Sequence, residues 1–246
     1  MTVRIVLVEP SHPGNIGSVA RAMGNMGFEN LCLVRPVDHL VEEARVRASG
    51  NEGILVNARV SESLANAIDE CSFVVGTSAR VRTVGWPSQA PRQAMQGVAD
   101  AVTRSQNVAI LFGPERTGLS NRHIDQCDLL VRIPVNDRSP SINLAAAVII
   151  LLYELRLAMN NGEASESASH SGSEFDDSEI MATHAQVEGF FGHLHSVLED
   201  VEFIAESPRE VLMRKIRRIF LRPDLTVDEV NILRGILTAI EKKTKA

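Results

Sequence analysis

Five short runs of apolar and β-branched residues alternate with helix-like segments, and this alternation constrains the fold most. The runs are Val3 to Val8, Leu31 to Val34, Phe73 to Val75, Val108 to Phe112, and Asp128 to Ile133. They are mostly apolar throughout rather than alternating, which is typical of strands covered on both faces. Buried strands interleaved with helices predict a three-layer α/β domain with a parallel sheet. In such a domain, loops at the carboxyl ends of the strands form the natural ligand-binding edge.

The segments between these runs have helical spacing of their apolar positions. Asn15 to Met26 is the clearest case, and Gly27 is expected to end that helix. The other helices predicted before residue 160 are Val41 to Ala48, Ser61 to Glu70, Pro91 to Arg104 and Ile142 to Met159.

A polar loop, Ile133 to Leu144, joins the last predicted strand to the most apolar stretch of the chain, Ala145 to Leu157. Its prolines, serines and asparagines are residues that shape loops through their own hydrogen bonds. Ser141 stands where the following helix is expected to begin and could cap its first turn. A polar loop held between two buried elements is a good candidate for a ligand site.

Charge divides the chain into three parts. Residues 1–158 carry 15 arginines, no lysine and 15 acidic residues, whereas residues 159–206 carry 11 acidic and no basic residues. Residues 207–246 carry 10 basic and 5 acidic residues. The composition predicts an α/β domain at 1–159, a flexible acidic linker at 160–179 and a small helical domain at 180–246. Helices are expected at Met181 to Glu202 and after capping boxes at Ser207 and Thr226.

The helix that follows Ser207 has apolar residues on one face and Arg214, Arg217 and Arg218 on another. Such a face is often only solvated, but positive charge gathered at one end of an acidic protein also suits a phosphate backbone. Charge pattern alone leaves both interpretations open.

Several other classes of site are disfavoured. The three cysteines (Cys32, Cys71 and Cys127) are scattered and, like the histidines, lack zinc-ligand spacing, so we expect reduced thiols and no metal. Val3 to Val8 is too short for a secretion signal and no uninterrupted membrane span is found. We therefore expect a cytoplasmic protein with no membrane partner.

Three segments resemble the motifs of SPOUT-class RNA ribose methyltransferases. They are N-I-G-S-V-A-R (Asn15 to Arg21), L-F-G-P-E-R-T-G-L-S (Leu111 to Ser120) and I-P-V-N-D-R-S-P-S-I-N-L-A (Ile133 to Ala145). With G-T-S-A-R-V-R-T (Gly76 to Thr83), they are similar to bacterial enzymes that methylate the 2′-hydroxyl of cytidine or uridine 32 in the tRNA anticodon loop.

The resemblance implies an α/β fold with a C-terminal trefoil knot, in which Ile142 to Met159 is the threaded helix. It implies S-adenosylmethionine as the methyl donor. The residues that match the cofactor site are Thr77, Ser78, Ala79, Leu111, Gly113, Ile133, Pro140, Ser141, Ile142 and Leu144.

The resemblance also implies a homodimer acting on tRNA, in which Arg21 of one subunit approaches the cofactor of the other. The catalytic positions are Arg21, Asn15, Glu115, Ser141 and Asn143. Because a guanidinium stays protonated in proteins, we expect Arg21 to orient the ribose and stabilise developing negative charge rather than to act as a base. By position alone, Arg21 is more typical of a solvated helix arginine than of a catalytic residue. The residues expected to contact RNA are Arg80, Arg82, Arg214, Arg217 and Arg218.

Three alternatives remain at this stage. The chain could methylate another tRNA or rRNA position, or it could keep the fold as an RNA-binding protein without turnover. A nucleotide-dependent oxidoreductase is less consistent with the sequence, because the loop that begins at Gly14 does not match the G-x-G-x-x-G fingerprint of dinucleotide-binding domains.

Overall fold

A computed structural model describes residues 3–78, 88–136, 138, 141–165, 180–201, 203–204, 209–220 and 227–244. The chain divides into two compact units, Met1–Gly172 (unit 1) and Ser173–Ala246 (unit 2). Each unit has its own group of buried apolar side chains.

Unit 1 is built on a seven-stranded sheet in which the neighbouring strands are parallel. The strands are β1 (Val3–Val8), β2 (Leu31–Val34), β3 (Arg59–Ser61), β4 (Phe73–Thr77), β5 (Ser88–Gln89), β6 (Val108–Phe112) and β7 (Leu129–Val131), in the order β3-β2-β1-β6-β4-β7-β5. The predicted parallel α/β fold is therefore confirmed. β7 pairs with both β4 and β5, so it is inserted between two strands that are consecutive in the sequence.

Seven helices are described in unit 1. They are α1 (Pro13–Asn25), α2 (Glu42–Ala48), α3 (Glu52–Val56), α4 (Leu64–Ile68), α5 (Pro91–Thr103), α6 (Asn121–Ile124) and α7 (Leu144–Ser165). α1 packs against α2 and α7, and α5 packs against α7. The main core lies between these helices and one sheet face, which includes Ile5 and Ile110. The alternate strand residues Val6 and Leu111 are also fully buried, so both faces of the sheet are covered.

Several elements differ from the sequence predictions. α3, α6 and the short strands β3 and β5 were not predicted, because two to five residues are too few to show a periodicity. The helix predicted from Ser61 is shorter, since Ser61 ends β3 and the Ser63 hydroxyl accepts a hydrogen bond from the Asn66 N–H at the start of α4. Gly27 adopts a φ of 76° two residues after the end of α1, as its predicted role as the helix terminator requires.

The long apolar helix is displaced towards the C-terminus. It begins at Leu144 rather than Ile142, and it continues to Ser165 rather than ending at Met159. The first six residues of the predicted linker, 160–165, are therefore helical. Adding residues to a helix that already exists is much easier than nucleating one, so a segment of weak helix formers can extend it.

Unit 2 contains α8 (His184–Asp200), α9 (Arg209–Phe220) and α10 (Val227–Thr244) among its described residues. α8 begins at a capping box in which Thr183 and Gln186 bond each other's backbone N–H groups. The expected capping boxes at Ser207 and Thr226 begin on residues outside the described part of the chain. Phe190, Phe191 and Phe220 pack with ring centroids 5.2–6.2 Å apart and form the centre of this core. Within the described ranges, none of the helices has the length and apolar character needed to cross a membrane.

Candidate active site

A cavity of about 270 Å³ opens beside the carboxyl ends of β4, β6 and β7 and the start of α7. This is the edge at which parallel sheets commonly bind ligands. The described residues that line it are Thr77, Ser78, Phe112, Gly113, Pro114, Glu115, Arg116, Thr117, Gly118, Leu119, Val131, Ile133, Ser141, Ile142, Leu144 and Ala147.

The loop after β6 folds tightly back on itself at Gly113. A Cβ atom on Gly113 would lie 2.2 Å from the Leu119 nitrogen and 2.3 Å from the Gly118 carbonyl carbon. Gly118 has a φ of 65°, and its N–H donates to the Pro114 carbonyl oxygen at 2.8 Å. The fold therefore requires glycine at residue 113 for the close approach and favours it at residue 118 for the left-handed turn.

Most of the predicted cofactor residues come together at this cavity. Seven of them line it, namely Thr77, Ser78, Gly113, Ile133, Ser141, Ile142 and Leu144. The backbone also holds the rim together, because the Ser78 N–H donates to the Val131 carbonyl oxygen at 3.0 Å. Ala79 and Pro140 lie outside the described residues.

Leu111 is placed differently from the expectation of an apolar contact with the ligand. Its side chain is fully buried within β6, and it is absent from the described lining of the cavity. Its carbonyl oxygen instead accepts a hydrogen bond from the Thr77 hydroxyl at 2.9 Å. Strand residues alternate between the two faces of the sheet, so the Leu111 side chain lies on the face opposite to that of Ile110 and Phe112.

The carboxylate of Glu115, which follows β6, receives three hydrogen bonds from the loop and helix that follow β1. The Asn15 side-chain amide donates to Oε1 at 2.9 Å. Ser11 donates to Oε2 twice, from its backbone N–H at 3.1 Å and from its hydroxyl at 2.8 Å. We call Ser11, Asn15 and Glu115 the carboxylate clamp. It joins the first and second motifs across about a hundred residues of sequence.

These contacts determine the charge state of Glu115. Burial is the largest single influence and acts to raise the pKa of its carboxyl, but the hydrogen bonds from Asn15, from its own backbone N–H and from Ser11 lower it. The net result is a pKa below the ordinary glutamate value. Glu115 is thus an ionised acceptor whose oxygens are already engaged, which suits a structural anchor better than a proton acceptor.

Asn143 connects the clamp to the long helix. Its Oδ1 accepts from the N–H groups of Ala145 at 3.0 Å and Ala146 at 3.3 Å, and its Nδ2 lies 3.5 Å from Asn15 Oδ1. An ionised carboxylate can only accept hydrogen bonds, so Glu115 requires the Nδ2 end of Asn15 to face it. Asn15 Oδ1 is then the atom that accepts from Asn143 Nδ2, and Asn143 Oδ1 is the atom that accepts from the N–H groups of α7. The direction of every bond in this series follows from the one before it.

Ser141 lines the cavity with an exposed side chain, but it does not cap α7. The predicted cap was wrong, because Asn143 directly precedes the first helical residue and accepts the N–H bonds of the first turn. Serine and asparagine are both good capping residues, so their identity could not decide between them.

Arg21 is exposed and lies on the polar side of α1, away from the described lining of the cavity. It follows Asn15 by six residues, or about 9 Å along a helix that rises about 1.5 Å per residue. The single chain therefore brings together four of the five predicted catalytic residues and leaves Arg21 apart.

The predicted RNA-binding arginines have different surroundings. Arg217 forms an ion pair with Glu188, including a 2.9 Å bond from Nη2 to Oε2, and its guanidinium carbon lies 4.3 Å from the Phe191 ring centroid. Only 18% of its side chain is exposed, so it stabilises unit 2 rather than presenting a free charge. Arg214 is half-buried on the same helix. Arg80, Arg82 and the side chain of Arg218 lie outside the described residues.

Sequence reasoning missed Ser11 and the cavity residues Arg116 and Thr117. Ser11 stands in a short polar loop after a buried strand, which is a position typical of functional residues, but its partner is 104 residues away in the sequence. Arg116 and Thr117 lie inside a motif that was recognised, next to Glu115. Their position beside Glu115 in that motif was therefore the feature of the sequence that could have identified them.

Comparison with known proteins gives matches over both units. Residues 2–153 match the SpoU rRNA Methylase family, and residues 185–246 match the tRNA methyltransferase TrmJ C-terminal domain. The tRNA (cytidine/uridine-2′-O-)-methyltransferase TrmJ of Citrobacter koseri is 42% identical over 99% of this chain and 98% of its own length.

Two solved structures are also similar. TrmJ from Z. mobilis ZM4 has a TM-score of 0.82 and 33% identity, covering 98% of this chain and all of that one. An AdoMet-bound rRNA methyltransferase from Sinorhizobium meliloti has a TM-score of 0.51 and 25% identity, covering 63% of this chain and 56% of that one. The likeness thus includes a relative whose structure contains a bound methyl donor.

Proposed function

This chain belongs to the SpoU rRNA methylase family, and on that premise we propose that it transfers a methyl group from S-adenosylmethionine to a ribose 2′-hydroxyl of tRNA. The observation that carries the proposal is the placement of the motif residues. Seven predicted cofactor residues line one cavity, and the carboxylate clamp adjoins it through Glu115.

The residues present fit S-adenosylmethionine. The cavity volume of about 270 Å³ is close to the lower end of small-molecule sites, roughly 300–1,000 Å³. Ile133, Ile142 and Leu144 provide an apolar wall suited to an adenine ring, while the backbone of the 113–119 loop provides polar groups. Because Gly113 has no Cβ to clash with the backbone of Gly118 and Leu119, the loop can fold tightly back on itself beside the cavity.

S-adenosylmethionine supplies an activated methyl group on a sulfonium, and the reaction forms an oxygen–carbon bond as a sulfur–carbon bond breaks. The ribose hydroxyl loses its proton to solvent water as the bond forms, and S-adenosylhomocysteine is the leaving group. The task of the protein is to align the two reactants, which can contribute several kcal/mol to lowering the barrier. The carboxylate clamp and Asn143 fix the position of α1 relative to the start of α7. Ser141, in the loop that precedes α7, faces the cavity.

The position of Arg21 supports a homodimer. It is exposed on α1, and α1 packs against α7, on which Ile149, Ile150 and Tyr153 are only partly covered. A second copy docked on this side would bury apolar surface and could bring its Arg21 to the cavity of the first. There the guanidinium would donate hydrogen bonds to the ribose and to the oxygen that develops negative charge, without itself losing a proton.

The insertion of β7 between β4 and β5 supports the trefoil knot expected from the family. The chain between β4 and β5 is residues 78–87, and β7 enters the sheet between these two strands. In a knotted fold, the segment leading to α7 passes through that connection. Threading of this kind is very rare outside a few families, so it would also distinguish this family from ordinary open α/β sheets.

We propose cytidine or uridine 32 of the anticodon loop as the target nucleotide, and the cytoplasm, where tRNA is abundant, as the location. The support is that the TrmJ relative matches over both units rather than over unit 1 alone. In this proposal Arg80, Arg82, Arg214 and Arg218 contact the RNA backbone, whereas Arg217 is held by Glu188.

The decisive experiment is to incubate the full chain with methyl-labelled S-adenosylmethionine and unmodified tRNA and to map the labelled nucleotide. We expect label on the ribose of nucleotide 32. Label at another nucleotide would correct the position, and binding of S-adenosylhomocysteine without any transfer would favour an RNA-binding protein. Calorimetry in which NAD binds and S-adenosylhomocysteine does not would overturn the proposal.

Substitutions of Arg21 test its role. Arg21→Ala should abolish most transfer, and Arg21→Lys should recover little, because an ammonium lacks the planar fork of a guanidinium. Near-normal activity of Arg21→Lys with a pH profile shifted to lower pH would instead indicate a titrating base.

A further inference from the structure

Arg116 stands at the rim of the cavity, on the loop that follows β6, and its side chain is exposed. Of the described residues that line the cavity, only Glu115 and Arg116 have an ionisable side chain. The Glu115 carboxylate is engaged in the carboxylate clamp. Within the described part of the chain, the Arg116 guanidinium has neither an ion pair nor a side-chain hydrogen bond. Several other arginines of unit 1 do have an acidic partner, namely Arg4, Arg35, Arg59 and Arg92.

The backbone that carries Arg116 is held on both sides. The Gly118 N–H donates to the Pro114 carbonyl oxygen at 2.8 Å, which closes a five-residue turn with Arg116 at its centre. The carboxylate clamp anchors the preceding residue, Glu115, to the loop after β1. The guanidinium therefore extends from a fixed point of the rim. A ligand that binds it loses less free energy to ordering of the loop than a ligand bound by a mobile segment.

The charges of the two reactants indicate which one Arg116 contacts. S-adenosylmethionine has one carboxylate but both an ammonium and a sulfonium, so it is a net cation. A guanidinium without an acidic partner repels a net cation and attracts an anion. Every nucleotide of tRNA contributes a negative phosphate, and a guanidinium matches phosphate geometry with two parallel hydrogen bonds. The exposed rim is also the side from which a macromolecule can approach a donor bound inside the cavity.

We propose that Arg116 is a substrate-positioning residue that binds the phosphate beside the target ribose. This inference rests on the proposed function, because it assigns a contact of the RNA substrate at the same cavity. A phosphate held at the rim limits the positions that the attached ribose can take, and so presents the 2′-hydroxyl to the methyl donor. The substrate is then a phosphodiester chain, since a free nucleoside lacks the group that Arg116 binds.

The test measures methyl transfer to tRNA by the full chain and by Arg116→Ala at several salt concentrations. We expect kcat/KM for tRNA to fall about tenfold or more, mainly through KM, because the phosphate is bound before as well as during the transfer. Loss of one phosphate contact to single-stranded RNA should reduce the slope of log kcat/KM against log salt concentration by about 0.7. The affinity for S-adenosylhomocysteine, measured by calorimetry, should be unchanged.

Two further variants separate the phosphate contact from a general effect of charge or folding. Arg116→Lys keeps the charge but loses the planar fork, so it should keep the wild-type salt slope and recover part of kcat/KM. Arg104→Ala removes an equally charged, exposed side chain between α5 and the amino end of β6, at the opposite edge of the sheet. This control should keep the wild-type KM and salt slope.

Three results would overturn the proposal. They are wild-type kcat/KM in Arg116→Ala, an equal loss in Arg104→Ala, and a weakening of S-adenosylhomocysteine binding that matches the loss of kcat/KM. The last result would assign Arg116 to the methyl donor. Equilibrium binding of tRNA to the same variants gives the comparison without turnover. Wild-type protein that binds tRNA but transfers no methyl group contradicts the proposed function, whereas equal tRNA affinity of wild type and Arg116→Ala contradicts the phosphate contact.

Discussion

The side-chain Nδ2 of Asn143 lies 3.5 Å from Oδ1 of Asn15, and this contact joins the start of α7 to the carboxylate of Glu115. Asn143 therefore has two tasks that use different ends of one amide. Its oxygen caps the helix, and its nitrogen orients Asn15. The two tasks can be separated by substitution.

Asn143→Asp should keep the cap and lose the orienting bond. Aspartate caps helices about as well as asparagine, so we expect the free energy of unfolding to change by less than about 0.5 kcal/mol. Two oxygens would then face each other between residues 143 and 15, so we expect kcat for methyl transfer to fall about tenfold or more, equivalent to at least about 1.4 kcal/mol. Urea unfolding and single-turnover kinetics measure the two effects. We expect Asn143→Ala to lose both stability and kcat. If Asn143→Asp also lost both, the capping and orienting roles of Asn143 could not be separated.

Ser11→Ala should weaken the carboxylate clamp without breaking it. The variant loses the hydroxyl bond of 2.8 Å but keeps the backbone N–H bond to Glu115. A hydrogen bond to a charged group contributes about 1.5–3 kcal/mol when buried, and this exposed one should contribute about 1 kcal/mol, or about fivefold in kcat. Ser11→Thr keeps the hydroxyl and serves as the control. An unchanged rate in Ser11→Ala would show that the backbone bond suffices.

Glu115→Gln should reduce stability in a pH-dependent way. The pKa of Glu115 is lowered in the folded protein, so its contribution to stability is present above the pKa of the unfolded state and is lost as pH falls through the folded value. The difference in unfolding free energy between wild type and Glu115→Gln should therefore be largest near neutral pH and shrink below about pH 4. Urea titrations across this range measure it, with Glu29→Gln, an exposed carboxylate, as the control for lost charge. A difference in unfolding free energy between wild type and Glu115→Gln that does not change with pH would be evidence against the carboxylate clamp.

Gly113→Ala should impair both folding and cofactor binding. Its Cβ would meet backbone atoms of Gly118 and Leu119 at 2.2–2.9 Å, and backbone cannot move aside as a flexible side chain can. We expect a loss of about 1–3 kcal/mol in stability. The matched control is Gly97→Ala, on α5, where a Cβ meets nothing within 4 Å. That substitution should stabilise the helix by about 0.5–1 kcal/mol. Thermal unfolding and S-adenosylhomocysteine calorimetry test both variants.

The native thiols should react slowly in the folded protein. Cys32, Cys71 and Cys127 are buried, and burial raises the pKa of Cys71 to about 11 and that of Cys127 well above its ordinary value. At pH 8 a disulfide reagent should modify all three quickly only after unfolding, because the thiolate is the reactive form. Fast reaction of one thiol in the native protein would contradict its burial.

Some features of this protein were determined by local sequence. Val3–Val8 and Val108–Phe112 could be predicted as strands from local sequence, because they are apolar runs containing β-branched residues over a length suited to a strand. Gly27 ends α1 because few other residues adopt its left-handed conformation. The three motifs identified the family, and the second and third contain most of the described cavity lining, since each motif is one continuous stretch of sequence.

The tertiary structure decided what depends on distant contacts. Ser11 and Glu115 meet across 104 residues, and Asn143 and Asn15 across 128. No local pattern could choose Asn143 over Ser141 as the cap of α7, bury the side chain of Leu111 outside the described cavity lining, or pair Arg217 with Glu188. Hydrogen bonds and ion pairs depend on distances of a few ångströms and on direction. Those distances exist only after the sheet has brought the ends of β1, β6 and β7 to one edge.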